Sequence, residues 1–245
     1  MPMHTLNLLV SAAAFAQDFA PAPAPTHVLG VDRALPEGAT VYTVGGLVNL
    51  RGEPAADAPV VRRLLTGTRV VVTEDRGGWV EVSVAGAAVG WVARPLLTTM
   101  GRVADLDGDG VEERIVVAQG EDGQTRAWLR EGARVQQTVL HPWPDPYLAS
   151  WALVPADEAG VALVHVDLNQ DSCGAYPSVW LSYAGDTLRT ALTVEPWADG
   201  GYGESYDVRF VAPGRVSVRQ ETYGELEPTY REQACLLTEG VFHCS

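Results

Sequence analysis

No lysine occurs anywhere in this chain, so all 17 of its basic residues are arginines. That absence removes a lysine Schiff base and a lysine phosphate ligand from the chemistry open to it. Positive charge is scarce altogether: 31 Asp and Glu leave a formal net charge of −14. Such a chain is poorly attracted to nucleic acid or anionic lipid, and no basic patch is visible along the sequence to argue otherwise. Cysteine is nearly missing too, with 3 in 245 residues and none before Cys173. Lipid attachment through a cysteine near the N-terminus is thereby excluded. No apolar run reaches the length a membrane-crossing helix needs. The five histidines, His4, His27, His141, His165 and His243, show neither His-x-x-x-His nor His-Glu-x-x-His zinc spacing. No Gly-x-Ser-x-Gly elbow frames a nucleophilic serine. Cys173 can be paired on paper with His165 or His243, but nothing fixes that geometry. Glu112/Glu113 and Glu225/Glu227 read more simply as solvated charge than as an acid–base pair. The sequence therefore predicts no catalytic residues and a protein that is not an enzyme.

What is present points to strands. The chain has 25 Gly and 16 Pro, which supply many turns, and 7 Trp with 8 Tyr, which favour strands over helices. Residues 5–16 form a short apolar run ending in Ala14-Phe15-Ala16, a small-residue cleavage pattern, so residues 1–16 read as a signal peptide. A disordered N-terminal extension is the plainer alternative. Residues 17–37, with alternating Pro and Ala, read as an extended linker. Export permits disulfides. Cys235 and Cys244 flank a Glu239-Gly240 turn and are the first choice for a bridge, although spacing leaves Cys173 open as a partner to either.

Residues 38–97 contain five short strand-like runs punctuated by turns. Trp79-Val80-Glu81-Val82-Ser83-Val84 alternates with period two, as a half-buried strand does. About sixty residues with such runs suit a small closed barrel, which removes exposed sheet edges. The landmarks Val48-Asn49-Leu50-Arg51-Gly52-Glu53-Pro54, Leu64-Leu65-Thr66-Gly67-Thr68, Gly77-Gly78-Trp79-Val80-Glu81-Val82 and Gly90-Trp91-Val92-Ala93 resemble the bacterial SH3 domain family. Glu53, where a serine is more usual, and the tip at Ala85–Val89 depart from the pattern without breaking a barrel. The resemblance implies an SH3-like fold and a module that attaches exported proteins to envelope peptide or glycan. Arg51, Trp79 and Trp91 form the candidate ligand face. The plainer alternative is that both tryptophans pack against the barrel and that Arg51 pairs with Glu53 or Glu81.

Residues 98–245 read as a larger β-rich domain. Asp105-Leu106-Asp107-Gly108-Asp109-Gly110-Val111-Glu112-Glu113 puts acids at loop positions 1, 3, 5 and 9 and glycine at position 6. A hard cation such as Ca²⁺ takes six to eight oxygens at about 2.3–2.6 Å, and this spacing curls several toward one centre. The loop is not an EF-hand: Val116 stands where a bidentate glutamate would, and strands flank it. Residues 101–119 resemble the calcium loops of FG-GAP/VCBS-type repeats. That resemblance implies ligands from Asp105, Asp107, Asp109 and Glu113, with the Val111 carbonyl as the backbone ligand. An unliganded acidic turn is the alternative. A weaker echo, Asp167-Leu168-Asn169-Gln170-Asp171-Ser172, lacks the position-6 glycine and the position-9 acid and suggests an internal repeat. A complete propeller needs about four or more blades, more than these residues supply. The fold expected is all-β: a small SH3-like barrel, then a larger antiparallel β domain that is sandwich-like or built of partial propeller-like repeats.

The function expected is that of an exported, non-enzymatic protein, periplasmic or extracellular, whose barrel binds peptidoglycan or another envelope protein or acts as a scaffold. A structural calcium ion is the cofactor expected in the second domain, with no nucleic-acid partner and no integral membrane segment in the mature chain. The alternatives are a secreted hydrolase with scattered catalytic residues and a periplasmic accessory subunit.

Overall fold

The computed structural model describes residues 34–119, 124–140, 147–169, 177–225 and 227–245. The signal-like run, most of the Pro/Ala linker, the Gly120–Gly123 turn, the His141–Pro146 connection, Cys173 and the second half of the Asp167 stretch lie outside them.

The fold is nearly all β. In the first unit, β1 (Thr40–Thr43), β2 (Leu47–Arg51), β3 (Val60–Leu65), β4 (Arg69–Asp75), β5 (Trp79–Val84), β6 (Ala88–Ala93) and β7 (Leu97–Thr98) form one sheet in the order β3-β2-β6-β5-β4-β1-β7. Period-two alternation explains its core. Val80, Val82 and Val84 of β5 point inward with Val70, Val72, Leu50 and Val92, while Trp79, Glu81 and Ser83 point outward. Each aliphatic side chain so buried contributes about 1.5–3 kcal/mol. The sheet curls into a half-barrel and does not close as expected: β3 pairs with β2 and with no other described strand, so it is a sheet edge, and Val60 and Val61 are exposed on it.

Three antiparallel meanders follow, each made of strands consecutive in the chain. Sheet B is β8 (Gly101–Ala104), β9 (Glu113–Gln119), β10 (Thr125–Glu131) and β11 (Arg134–Val139). Sheet C is β12 (Tyr147–Val154), β13 (Leu163–Asn169), β14 (Ser178–Ala184) and β15 (Thr187–Val194), with one helical turn, α1 (Ala156–Ala159), between its first two strands. Sheet D is β16 (Trp197–Asp199), β17 (Tyr202–Ala212), β18 (Arg215–Tyr223), β19 (Thr229–Thr238) and β20 (Val241–Cys244).

Side-chain alternation stacks these layers in chain order. Tyr42 and Val44 of the barrel pack on Val116, Ala118 and Trp128, one face of sheet B. The Tyr42 ring lies against Gly101, where a Cβ would fall 2.2 Å from it, so this junction requires glycine. The other face of sheet B, with Ile115, Val117, Ala127 and Leu129, packs on Val164, Val166, Val179 and Leu181 of sheet C. The far face of sheet C, with Leu163, Trp180 and Val194, packs on Val216, Val218 and Phe242 of sheet D. Cys235 and Cys244 sit directly opposite each other on β19 and β20 and form a disulfide.

Two expectations differ in detail. Asp167 and Asn169 read as loop positions but lie within β13. The two acidic stretches therefore occupy different places in their meanders: Asp105 follows the first strand of sheet B, whereas Asp167 ends the second strand of sheet C. They do not mark equivalent units.

Candidate functional site

The acidic loop joins β8 to β9 and is tied down at both ends. Leu106 is buried in the core between sheets B and C. Its N–H donates to Glu113 Oε2 at 2.6 Å. Between these anchors the aspartates fold the loop onto itself. Asp105 Oδ1 and Oδ2 accept from the N–H groups of Gly108 (2.8 Å) and Gly110 (3.0 Å). Asp107 Oδ1 accepts from Asp109 N–H at 3.2 Å, and Asp109 Oδ1 from Val111 N–H at 2.6 Å. Gly110 has φ +86°, left-handed backbone that side-chain-bearing residues adopt at a cost.

Asp105, Asp107 and Asp109 are exposed, and each offers one oxygen within 4.8 Å of the others. Glu113 differs from them. It is fully buried, and its Oε1 has no hydrogen-bond partner. Burial raises its pKa; the Leu106 N–H offsets part of this, and the charges of Asp107, Asp105 and Asp109 raise it further. Burial also raises Asp107, with Asp109 and Asp105 adding to the effect. These four carboxylates repel one another, and no described arginine pairs with them. The chemistry and spacing of the three aspartates fit a hard cation, whereas Glu113, the fourth ligand expected, is not part of the group whose oxygens lie within 4.8 Å of one another. Val111, the backbone position, is exposed.

The barrel face is assembled by strand register. Arg51 of β2 lies opposite Trp91 of β6, and Trp91 opposite Glu81 of β5. Trp79 pairs with Ala93, which makes Trp79 and Trp91 diagonal neighbours on the outer face. Their exposure differs. Trp79 is half-buried, whereas Trp91 is 5% exposed and lies under the Arg76 guanidinium, 4.7 Å from its ring centre. Arg76 is held there by Glu74 at 2.7 and 3.0 Å. Arg51 donates to the Ala58 carbonyl at 2.6 Å rather than to Glu53 or Glu81.

A cluster that sequence reasoning missed surrounds Asp167. Ser150 and Ser178, its register partners on the flanking strands, each donate to it at 2.6 Å. His165 Nε2 lies 3.1 Å from Asp167 Oδ1 without hydrogen-bond alignment, and its ring stacks on Trp180 at 4.2 Å. Burial opposes the charge on Asp167, but His165, Ser150 and Ser178 outweigh it and hold the carboxyl well below its usual range. A nucleophile–base–acid relay needs histidine between serine and aspartate. Here both serines bond to the aspartate, so this cluster is not that relay.

The sequence shows no basic patch, but the fold makes one. Arg62, Arg63 and Arg69 of the barrel meet Arg114 and Arg130 of sheet B around one cavity.

No curated protein and no solved structure matches the chain. The resemblance of residues 101–119 to FG-GAP/VCBS-type repeats finds no support in these comparisons. Residues 45–98, which run from the approach to β2 through the end of β7, match the family model described as Bacterial SH3 domain, and the chain carries a domain of that family.

Proposed function

We propose that this is an exported, non-enzymatic protein whose SH3 domain binds cell-envelope material, peptidoglycan foremost, and whose acidic loop holds a structural calcium ion. The observation that carries the binding reading is the outer row of the barrel. There Arg51, Trp91 and Trp79 share one face, directed away from the valine-rich core. Trp79 offers a stacking surface, and movement of the exposed Arg76 would uncover Trp91. Bacterial SH3 domains are cell-envelope or protein-binding modules, and the Cys235–Cys244 disulfide is compatible with an oxidising compartment. Among the described residues no helix is long and apolar enough to cross a membrane.

The calcium reading is supported by geometry of a different kind. Oxygens on a calcium shell of about 2.3–2.6 Å radius lie up to about 5 Å apart. The spacing within 4.8 Å among Asp105, Asp107 and Asp109 suits that shell. The ion would neutralise like charges, and a small shift of the loop would bring Glu113 to it and give Oε1 the partner it lacks; its chemistry here is structural, not catalytic.

Two experiments test the proposal. The full chain should co-sediment with purified peptidoglycan, and Trp79→Ala should lower the bound fraction severalfold; a chain that stays in the supernatant refutes the barrel reading. Calorimetric titration of chelator-treated protein with Ca²⁺ should give saturable heat that Asp107→Ala and Glu113→Ala remove. Absence of heat at millimolar calcium refutes the metal reading.

A further inference from the structure

The cavity where the barrel meets sheet B measures about 620 Å³. Five of the residues lining it are arginines, Arg62, Arg63, Arg69, Arg114 and Arg130, and none is an Asp or Glu. In a chain with 31 acids for 17 arginines this segregation stands out against the rest of the molecule. Four arginines elsewhere pair with carboxylates: Arg76 meets Glu74, Arg94 meets Asp75, Arg134 meets Asp186 and Arg209 meets Asp207.

Two of the five are held in place at a cost. Arg114 of β9 and Arg130 of β10 are directly opposed across the antiparallel ladder. Like charges at such positions destabilise a sheet. Arg130 is only 7% exposed, and among the described residues its guanidinium makes one hydrogen bond, to Thr68 Oγ1 at a long 3.4 Å. Burial, and then the Arg114 charge, lower its pKa. A desolvated guanidinium so poorly partnered is unfavourable unless something negative joins it. The Thr66-Gly67 turn of the barrel packs on Arg114, with Gly67 so close that an added Cβ would lie 3.3 Å from the Arg114 Cβ. The barrel thus closes one wall of the cavity. Arg62 and Arg63 on the edge strand β3, with Arg69 on β4, are exposed residues of its lining; Arg62 and Arg63 are successive strand positions, so they border it from the two faces of β3.

We propose that this cavity is a binding site for a small organic phosphate, with the phosphoryl group held between Arg114 and Arg130 and the exposed arginines. Guanidinium forks match phosphate oxygens bidentately. Several forks converging on one volume suit a dianion with three acceptor oxygens better than a single carboxylate. The volume falls within the range of about 300–1,000 Å³ typical of small-molecule sites and exceeds what a bare ion needs. Leu65, Val71 and Ser83 offer apolar and neutral polar surface to the organic portion. The net charge of −14 repels an extended polyanion while leaving a compact one free to enter.

The test is calorimetric titration of the full chain at low ionic strength with inorganic phosphate, glucose 1-phosphate, citrate and a short DNA duplex. Saturable binding is expected for both phosphates, tighter for the sugar phosphate than for inorganic phosphate, and weaker for citrate. Arg114→Gln should weaken it by about tenfold, the loss that follows removal of one charged hydrogen bond. Because burial complicates that variant, the exposed pair Arg62→Gln/Arg63→Gln serves as a second, with an expected loss of about threefold or more. The ligand-free melting temperature of Arg114→Gln should equal or exceed that of the parent, since a repulsion has been relieved. No saturable binding of either phosphate, unchanged affinity in both variants, tighter binding of DNA than of sugar phosphate, or a lowered ligand-free melting temperature with parental affinity would each overturn the proposal.

Discussion

Asp167 and Glu113 are both carboxylates held between β-strands, and they are served very differently. Asp167 takes two serine hydroxyls at 2.6 Å and has His165 at 3.1 Å. Glu113 takes one backbone N–H, leaves Oε1 without a partner and faces three further acids. The first carboxylate is complete within the protein, so its charge is stabilised by the fold. The second is incomplete: it is buried, and among the described residues one backbone N–H is its only hydrogen-bond donor. Counting donors, rather than acids, separates a structural carboxylate from a candidate ligand.

The sharpest way to break that comparison is to add the cation. At calcium one hundred times above its dissociation constant, stability should rise by about 2.7 kcal/mol. Thermal or urea unfolding with and without calcium reads this directly, and identical curves would place Glu113 and Asp167 in the same structural class. Next in size is Asp167→Ala, which should cost about 1.5–3 kcal/mol and leave any calcium response intact. The same residue predicts a pH dependence. Its carboxyl is depressed in the folded chain, so its contribution is fully present above the unfolded value of about 3.9. It is lost as pH falls through the lower folded value. The parent's advantage over Asp167→Ala should therefore hold at pH 6 and shrink on acidification from about pH 4 downward; a gap constant with pH would contradict this assignment. Gly110→Ala should cost about 1–2 kcal/mol, because its φ of +86° strains any side chain while no atom lies near an added Cβ. Smallest is Glu113→Gln, which removes a buried, poorly partnered charge. Calcium-free stability should hold or rise by about 1 kcal/mol, while the calcium response disappears; a large loss of calcium-free stability would mean that the charge is already satisfied.

Local pattern made much of the barrel readable. Trp79–Val84 alternates in sequence and forms β5 with those same bounds, and the Val48–Arg51 landmark falls in β2. Cys235 and Cys244 pair because the Glu239-Gly240 turn sets them opposite each other. The acidic loop was visible as spacing, but its most informative atom was not. Glu113 reads as one ligand among four, and only the fold shows it fully buried with an unpartnered oxygen. Asp167 was misread because Asp and Asn favour turns, and only the serines on β12 and β14 reveal why it can sit in a strand. The arginine cavity was illegible for a plainer reason. Its residues come from β3, β4, β9 and β10, and only packing of the barrel on sheet B makes them neighbours.

The edge strand β3 carries one more consequence. Among the described residues its backbone has an unpaired side, and Val60 and Val61 are 43% and 60% exposed beside it. Such an edge is a template on which a second copy can add its own strand, the first step toward aggregation. Arg62 and Arg63 follow at once, and two copies approaching edge to edge would bring four guanidinium groups together. Mutual repulsion would oppose that approach. The residues that would draw in an anion would thus also disfavour self-association, and their loss should show in light scattering at high concentration.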